Sequence, residues 1–283
     1  MNNAPACPIS KMDKILLVTD GSEFSEGAVR EGIKFASMCS SEFYAIYVIQ
    51  ENPEYEVVSP QSAIEMEEIA RLHLLDVKSK ATAAGVRCET IIGRGVEVHT
   101  SVVEEAVKRE INMIIIGRRG YKGLMKLLLG EVAARVIGHA PCKVLVVPRS
   151  AKFDCKNIVI ASDGSRHSTA AANEGIDIAK RCGGNVIAIS AAIAEEQSYE
   201  AEKNVNEIIG AATKANVAAE PSTPKGKSYE TIIDLAEKRA SGLIVMGSYG
   251  HTGLKKLFMG SSTEKVIGQA PCAVLVVNAD STY

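Results

Sequence analysis

The sequence has no tryptophan, no Cys-x-x-Cys pair and no apolar run longer than a strand. Stretches such as Met113–Ile116 and Val144–Val147 fall far short of the about 20 residues that a membrane-spanning helix needs. The opening MNNAPACPISKMDK lacks the apolar core of a secretory leader, which favours a cytoplasmic protein. Charge of one sign is not in excess either. Lys and Arg number 32 against 34 Asp and Glu, a net charge of −2. That balance excludes the electrostatic footprint expected for nucleic acid or an anionic membrane. The five histidines are scattered without ligand spacing, so no metal centre is expected. Cysteine is odd in number, at seven. Four of these residues, Cys39 with Cys182 and Cys142 with Cys272, recur at matching places. They are expected to act as small buried hydrophobes, with redox or metal chemistry as the alternative.

What is present is a sequence written twice. ILLVTDGSEFSEGA (15–28) matches IVIASDGSRHSTAA (158–171) at an offset of 143. GHAPCKVLVV (138–147) matches GQAPCAVLVV (268–277) at an offset of 130. The difference, 143 − 130 = 13, places 13 extra residues in the middle of the first copy, around QENPEYEVVSPQSA (50–63). VPRSAKFDCKN (147–157) reads as a short polar linker. The expected domains are 1–150 and 151–283.

Each copy alternates short apolar runs with segments of helical period. In the first, strands are expected at Ile15–Thr19, Phe43–Ile49, Cys88–Ile92, Met113–Ile116 and Cys142–Val147. Helices are expected at Ser25–Met38, Ala63–Ala84 and Val98–Glu110, with a short one from Gly130 to Gly138. The second copy repeats the scheme. Continuous apolar strands flanked by helices imply a parallel sheet covered on both faces. The fold class is α/β: two tandem doubly wound domains, each a five-stranded parallel sheet flanked by helices. A ligand crevice then lies at the carboxyl ends of the strands, where strand order reverses.

A glycine-rich loop leaves each fourth strand at that edge. The glycines sit at Gly117, Gly120, Gly123 and Gly130, and again at Gly247, Gly250, Gly253 and Gly260. Glycine there admits close approach of a ligand or positive φ. Gly260-Ser261-Ser262 then opens a helix whose free N–H groups and dipole favour an anion. The plainer alternative is a tight turn with a capped helix.

Gly247-x-x-Gly250, nine residues, then Gly260-Ser261 resembles the ATP-binding pattern G-2x-G-9x-G-[S/T] of the universal stress protein family. Both copies also carry Asp-Gly-Ser after the first strand, at Asp20-Gly21-Ser22 and Asp163-Gly164-Ser165. Both end in Ala-Pro-Cys-x-Val-Leu-Val-Val, and the resemblance covers nearly the whole chain. It implies an adenine nucleotide alpha hydrolase-like fold and binding of ATP, or of AMP or ADP, with Mg²⁺ as a candidate companion. Carried over residue by residue, the nucleotide contacts are Asp163, Ala191, Met246, Gly247, Gly250, Gly260, Ser261 and Ser262 in the second copy. In the first they are Asp20, Val48, Ile116, Gly117, Gly120 and Gly130. The family commonly dimerises through the last strand. Pairing of the two domains through their last strands is therefore expected, with a homodimer left open and the protein partner unknown.

The copies differ where phosphate would sit: Glu131-Val132 stands in place of Ser261-Ser262. A carboxylate at a helix N-terminus satisfies the dipole itself and repels phosphate. Arg118 and Arg119 would offset part of that repulsion. The first copy is expected to be a degenerate site, or one taking a nucleotide with fewer phosphates. Removing the carboxylate with Glu131→Ser is expected to change affinity about ten- to hundredfold.

Other motifs carry less. Pro224-Lys225-Gly226-Lys227-Ser228 contains the end of a phosphate loop, but Pro221 stands where its first glycine belongs. Asp163, Ser165 and His167 look like a triad yet lie within five residues of chain. Glu65, Glu67, Glu68, Arg71 and Lys78 are expected to form a solvated helix face. With no evident general base or nucleophile, the expected function is a nucleotide-binding stress-response regulator with at most weak ATP hydrolysis. The alternatives are a slow ATPase or nucleotide-processing enzyme, and a ligand-free partner-binding scaffold.

Overall fold

The computed structural model of the protein describes residues 7–10, 12–51, 60–120, 129–249 and 259–279. The first copy runs β1 (Lys14–Val18), α1 (Glu26–Cys39), β2 (Glu42–Gln50), α2 (Pro60–Ala83), β3 (Cys88–Gly95), α3 (Val98–Lys108), β4 (Met113–Gly117), α4 (Glu131–His139) and β5 (Lys143–Val147). The second runs β6 (Asn157–Ala161), α5 (Arg166–Cys182), β7 (Asn185–Ile189), α6 (Ser198–Lys214), β8 (Ala219–Ser222), α7 (Ser228–Lys238), β9 (Leu243–Gly247), α8 (Ser261–Gln269) and β10 (Ala273–Val277). Expected and observed elements agree to within a few residues. Gly138 does not end α4, which continues to His139.

The strand order is β3-β2-β1-β4-β5-β10-β9-β6-β7-β8 in a single ten-stranded sheet. Pairing is parallel within each copy. The last strands, β5 and β10, join antiparallel. Their register sets Leu145 opposite Leu275, with Val146 opposite Val274 and Val144 opposite Val276. At the offset of 130, Leu145 therefore meets its own repeat counterpart, and the flanking pairs exchange. Joining the last strands pairs an apolar edge that would otherwise invite aggregation.

Alternation along the strands builds two cores. Ile15, Leu17, Leu145, Ile158, Ile160 and Leu275 face α1, α2, α5 and α6. Leu16, Val18, Val144, Val159 and Val274 face α3, α4, α7 and α8. Each core runs through both copies. The linker is held at both ends. Arg30 on α1 donates to the Ala151 carbonyl, Lys34 donates to that of Phe153 at 3.2 Å, and the Phe35 and Phe153 rings meet edge-on at 4.5 Å.

Two expectations need correction here. Cys39 and Cys182 are not free hydrophobes: Cys7 bonds Cys39 and Cys155 bonds Cys182. Each disulfide ties the segment entering the first strand of its copy to the end of the helix that follows. Disulfides persist mainly in oxidising surroundings, so the cysteines do not argue for a reducing compartment. Cys142 and Cys272 are buried as expected, and burial pushes both thiols up to about 12. The second correction concerns α2. Its charges do pair, Glu68 with Arg71 and Glu67 with Arg94, but Ile64, Met66, Ile69, Leu72 and Leu75 are exposed beside them. No helix among the described residues is long and apolar enough to cross a membrane.

The disulfides carry a direct expectation. Alkylation of unreduced, denatured protein should label Cys88, Cys142 and Cys272 alone. With partners 32 and 27 positions apart in sequence, reduction should remove about 3–4 kcal/mol of stability per bond, read as a lowered melting temperature. Labelling of all seven cysteines before reduction would contradict both bonds.

Candidate functional site

Strand order reverses between β1 and β4 in the first copy, and between β6 and β9 in the second. The carboxyl ends of those strands carry the expected residues. After β1, Asp20 Oδ1 accepts from the Ser22 amide at 3.1 Å and from its hydroxyl at 2.7 Å. After β6, Asp163 Oδ1 accepts from the Ser165 amide at 3.1 Å. Gly21 and Gly164 take φ of +74° and +80° within these turns, a left-handed geometry that costs glycine nothing. Each aspartate thus shapes the turn that also presents it to the crevice.

The loop after the fourth strand is closed at its base in the same way in both copies. The Gly130 amide donates to the Arg118 carbonyl at 2.9 Å, and the Gly260 amide to the Ser248 carbonyl at 3.0 Å. This clasp brings the end of β4 or β9 beside the first residue of α4 or α8. Ile116 and Met246, both buried, are the next-to-last residues of those strands. Val48 lies within β2, beyond Ile46, where the pairing with β1 stops. Ala191 lies two residues past β7. Gly250 falls outside the described residues.

Some of the glycines also admit close approach of the protein's own main chain. A Cβ on Gly117 would sit 2.8 Å from the Phe24 carbonyl oxygen, and one on Gly247 would sit 2.8 Å from the His167 carbonyl carbon. These two glycines admit the start of the helical segment that follows the first strand of their copy. Gly120 is the one held against a polar group of the crevice, since its Cβ would lie 2.8 Å from Asp20 Oδ2. Gly260 has φ −58° and ψ 137°, so no positive φ requires glycine there.

The helix starts differ between copies. Gly260 caps α8, and Ser261 and Ser262 stand exposed in its first turn, with Glu264 three residues further along than Ser261. Thr263 Oγ1 donates to the Gly247 carbonyl at 3.1 Å, pinning α8 to the end of β9. Its counterpart in the first copy is Ala133, which has no donor. Glu131, 73% exposed, pairs with Arg135 at 2.7 Å, and Arg135 pairs in turn with Glu97 at 2.6 Å. The carboxylate is therefore shared with a neighbouring cation on its own helix. Arg118, expected to offset it in part, donates its Nη1 to the Ala270 carbonyl at 3.1 Å.

Several supporting residues left no mark in the sequence. His73 on α2 bonds Thr19 Oγ1 at 2.8 Å, and Thr19 bonds Ser25 at 3.0 Å, bracing the Asp20 turn. Burial lowers the pKa of His73. In the second copy the neighbour of the turn is Asn204, which a Cβ on Gly164 would strike at 2.6 Å. The triad-like cluster is structural. Ser165 caps α5 by accepting from the Ser168 amide, and His167 Nδ1 accepts from the Ala279 amide at 3.0 Å. Lys225 and Lys227 pair with Glu195 and Glu230, outside any phosphate loop geometry.

Comparison with known proteins gives a single answer. The profile of the universal stress protein family matches residues 11–148 and 155–278. Over 147 residues the chain is 37% identical to a universal stress protein of Methanocaldococcus jannaschii, covering 49% of this chain and 84% of that one. It is 25% identical over 310 residues to one of Mycobacterium tuberculosis, covering 94% and 96%. The crystal structure of a universal stress protein from Archaeoglobus fulgidus superposes with a TM-score of 0.74 at 23% identity, covering 95% of this chain and 99% of that one.

Proposed function

The chain belongs to the universal stress protein family, and from that premise we propose that it binds an adenine nucleotide, held mainly by its second domain, and acts as a nucleotide-responsive regulator. The domains are 1–150 and 151–283, with the boundary in the linker near Ala151. The observation that carries the reading is the start of α8. Ser261 and Ser262 offer main-chain and hydroxyl donors at the positive end of a nine-residue helix that Gly260 caps. The Gly260 clasp and the Thr263 bond hold that end against β9 before any ligand arrives. Donors fixed in advance lose little entropy on binding. Ala191 and the Asp163 turn border the same crevice for adenine and ribose.

The first domain supports a weaker site. Its clasp is intact and Gly120 leaves room beside Asp20, but α4 opens on Glu131 and lacks the threonine pin. Because Glu131 is exposed and paired with Arg135, its repulsion is smaller than its position alone implies. Exposed pairs of this kind are worth about 0–1 kcal/mol. Turnover is not expected, since Ser165 and His167 are engaged in capping α5 and in holding Ala279.

Calorimetric titration with ATP tests this. One tight site per chain is expected, and Ser261→Glu should weaken it by about three- to tenfold, less at high salt. Glu131→Ser should strengthen the first domain by no more than about fivefold. Two sites of equal affinity would overturn the asymmetry. No heat with ATP, ADP or AMP, and no adenylate released on denaturing freshly purified protein, would overturn the nucleotide reading itself.

A further inference from the structure

We propose that the two nucleotide sites are coupled: Arg118 from the first loop holds the phosphate helix of the second domain, and Tyr249 from the second loop holds that of the first. The proposal rests on the nucleotide reading above. Arg118 Nη1 donates to the carbonyl of Ala270, the residue that caps the carboxyl end of α8, at 3.1 Å. Tyr249 OH donates to the carbonyl of Gly138, in the last turn of α4, at 3.2 Å. The amino ends of those same helices are Ser261 and Glu131. Each helix is nine residues long, about 13 Å, and moves as one piece. A contact at its carboxyl end therefore bears on the donors at its amino end.

These bonds are not a by-product of the repeat. At the offset of 130, Arg118 corresponds to Ser248 and Tyr249 to Arg119. The acceptors also differ, since Ala270 corresponds to Ala140 and Gly138 to Gly268. A guanidinium and a phenol at neighbouring positions thus reach the carboxyl ends of equivalent helices, α8 and α4, in opposite directions across the β5–β10 junction. The chemistry suits each place. A cation at a helix carboxyl end meets carbonyls of partial negative charge. Burial depresses the Arg118 pKa, with Arg119 adding to the effect, so the guanidinium gains by keeping its acceptor.

Both residues are also tied to their own sites. The Arg118 carbonyl is the acceptor of the Gly130 clasp, so main chain and side chain of one residue serve the two domains. The Tyr249 carbonyl accepts from Ser165 Oγ at 3.4 Å, and its ring lies 5.5 Å from that of His167. A nucleotide that shifts the base of one loop shifts the side chain holding the other domain's helix. Coupling of this kind is reciprocal in binding free energy.

The test uses the full chain. Arg118→Met should weaken the tight ATP site of the second domain by about three- to tenfold and speed hydrogen exchange at the amides of 264–267, the first bonded within α8. Arg118→Lys, which keeps a cation and a donor, should stay within about twofold of wild type. A purely architectural arginine would lower the melting temperature and leave affinity and exchange at α8 unchanged; that result overturns the proposal. Should Arg118→Met fail to fold, Tyr249→Phe decides. Faster exchange at 134–137 in α4 supports coupling, and unchanged exchange overturns it. Wild-type protein that binds no nucleotide would sink the function above, while the exchange measurements still decide whether each loop holds the opposite helix.

Discussion

Replacing Lys143 with methionine is expected to lower the free energy of unfolding by about 3–5 kcal/mol, among the largest effects available in this chain. Lys143 begins β5, and its Nζ lies 2.7 Å from Glu174 Oε2 on α5 of the second domain. The side chains are only 14% and 12% exposed. Methionine fills similar space but leaves a buried carboxylate without its cation, and Glu174 Oε1 already lacks a hydrogen-bond partner. The double variant Lys143→Met with Glu174→Met should recover most of the loss, because burying neither charge removes the desolvation penalty. Urea unfolding measures both. A loss below about 1 kcal/mol for the single variant would mean that water screens the pair. The repeat makes the pair one-sided. Glu31 corresponds to Glu174, but Lys143 corresponds to Ala273, so Glu31 relies on Arg30 at 2.9 Å and Lys34 at 3.8 Å from its own helix.

Gly247→Val should reduce ATP affinity at least about tenfold, with a stability loss of about 1–3 kcal/mol. Its Cβ would meet the His167 carbonyl carbon at 2.8 Å and the Ser168 amide nitrogen at 2.9 Å. Both are main-chain atoms in the first turn of α5, so relief requires moving a helix or the end of β9. The Gly247 carbonyl also accepts from Thr263, and the next carbonyl accepts from Gly260, so the displacement reaches the start of α8. Gly210→Ala is the matching control. It lies within α6 with nothing within 4 Å of its Cβ, and should stabilise by about 0.5–1 kcal/mol without touching affinity. Calorimetry and thermal melts on the two variants separate the site from general glycine effects. Unchanged ATP binding in Gly247→Val would detach this glycine from the site.

Much of the site was legible because it is local. Asp20 and Asp163 are announced by Asp-Gly-Ser, where the glycine supplies φ > 0 and the aspartate accepts from the amide two residues on. Gly130 and Gly260 are announced by spacing, and the clasp explains why both copies keep it. Thr263 was overlooked because a threonine in a helix's first turn looks like ordinary composition. Only the position of the Gly247 carbonyl gives it a role. Glu131 is legible as a charge at a helix start, whereas its pairing with Arg135 one turn later is one that the i to i+4 spacing allows but only the structure shows. The disulfides are not legible from the repeat, because their partners, Cys7 and Cys155, are not repeat counterparts. Aligning the copies hides them.

The succession of strands and helices, the duplication, the turn after each first strand and the family all follow from the order of the residues alone. Hydrophobic period and turn chemistry act over a few residues, and a repeat states them twice. The tertiary structure decided what joins the halves: the register centred on Leu145 and Leu275, the Lys143–Glu174 pair, and the carbonyls that Arg118 and Tyr249 reach. Those contacts join residues far apart in the chain. Whether a given lysine or arginine meets a carboxylate, a carbonyl or water depends on how two strand edges come together, which no local pattern encodes.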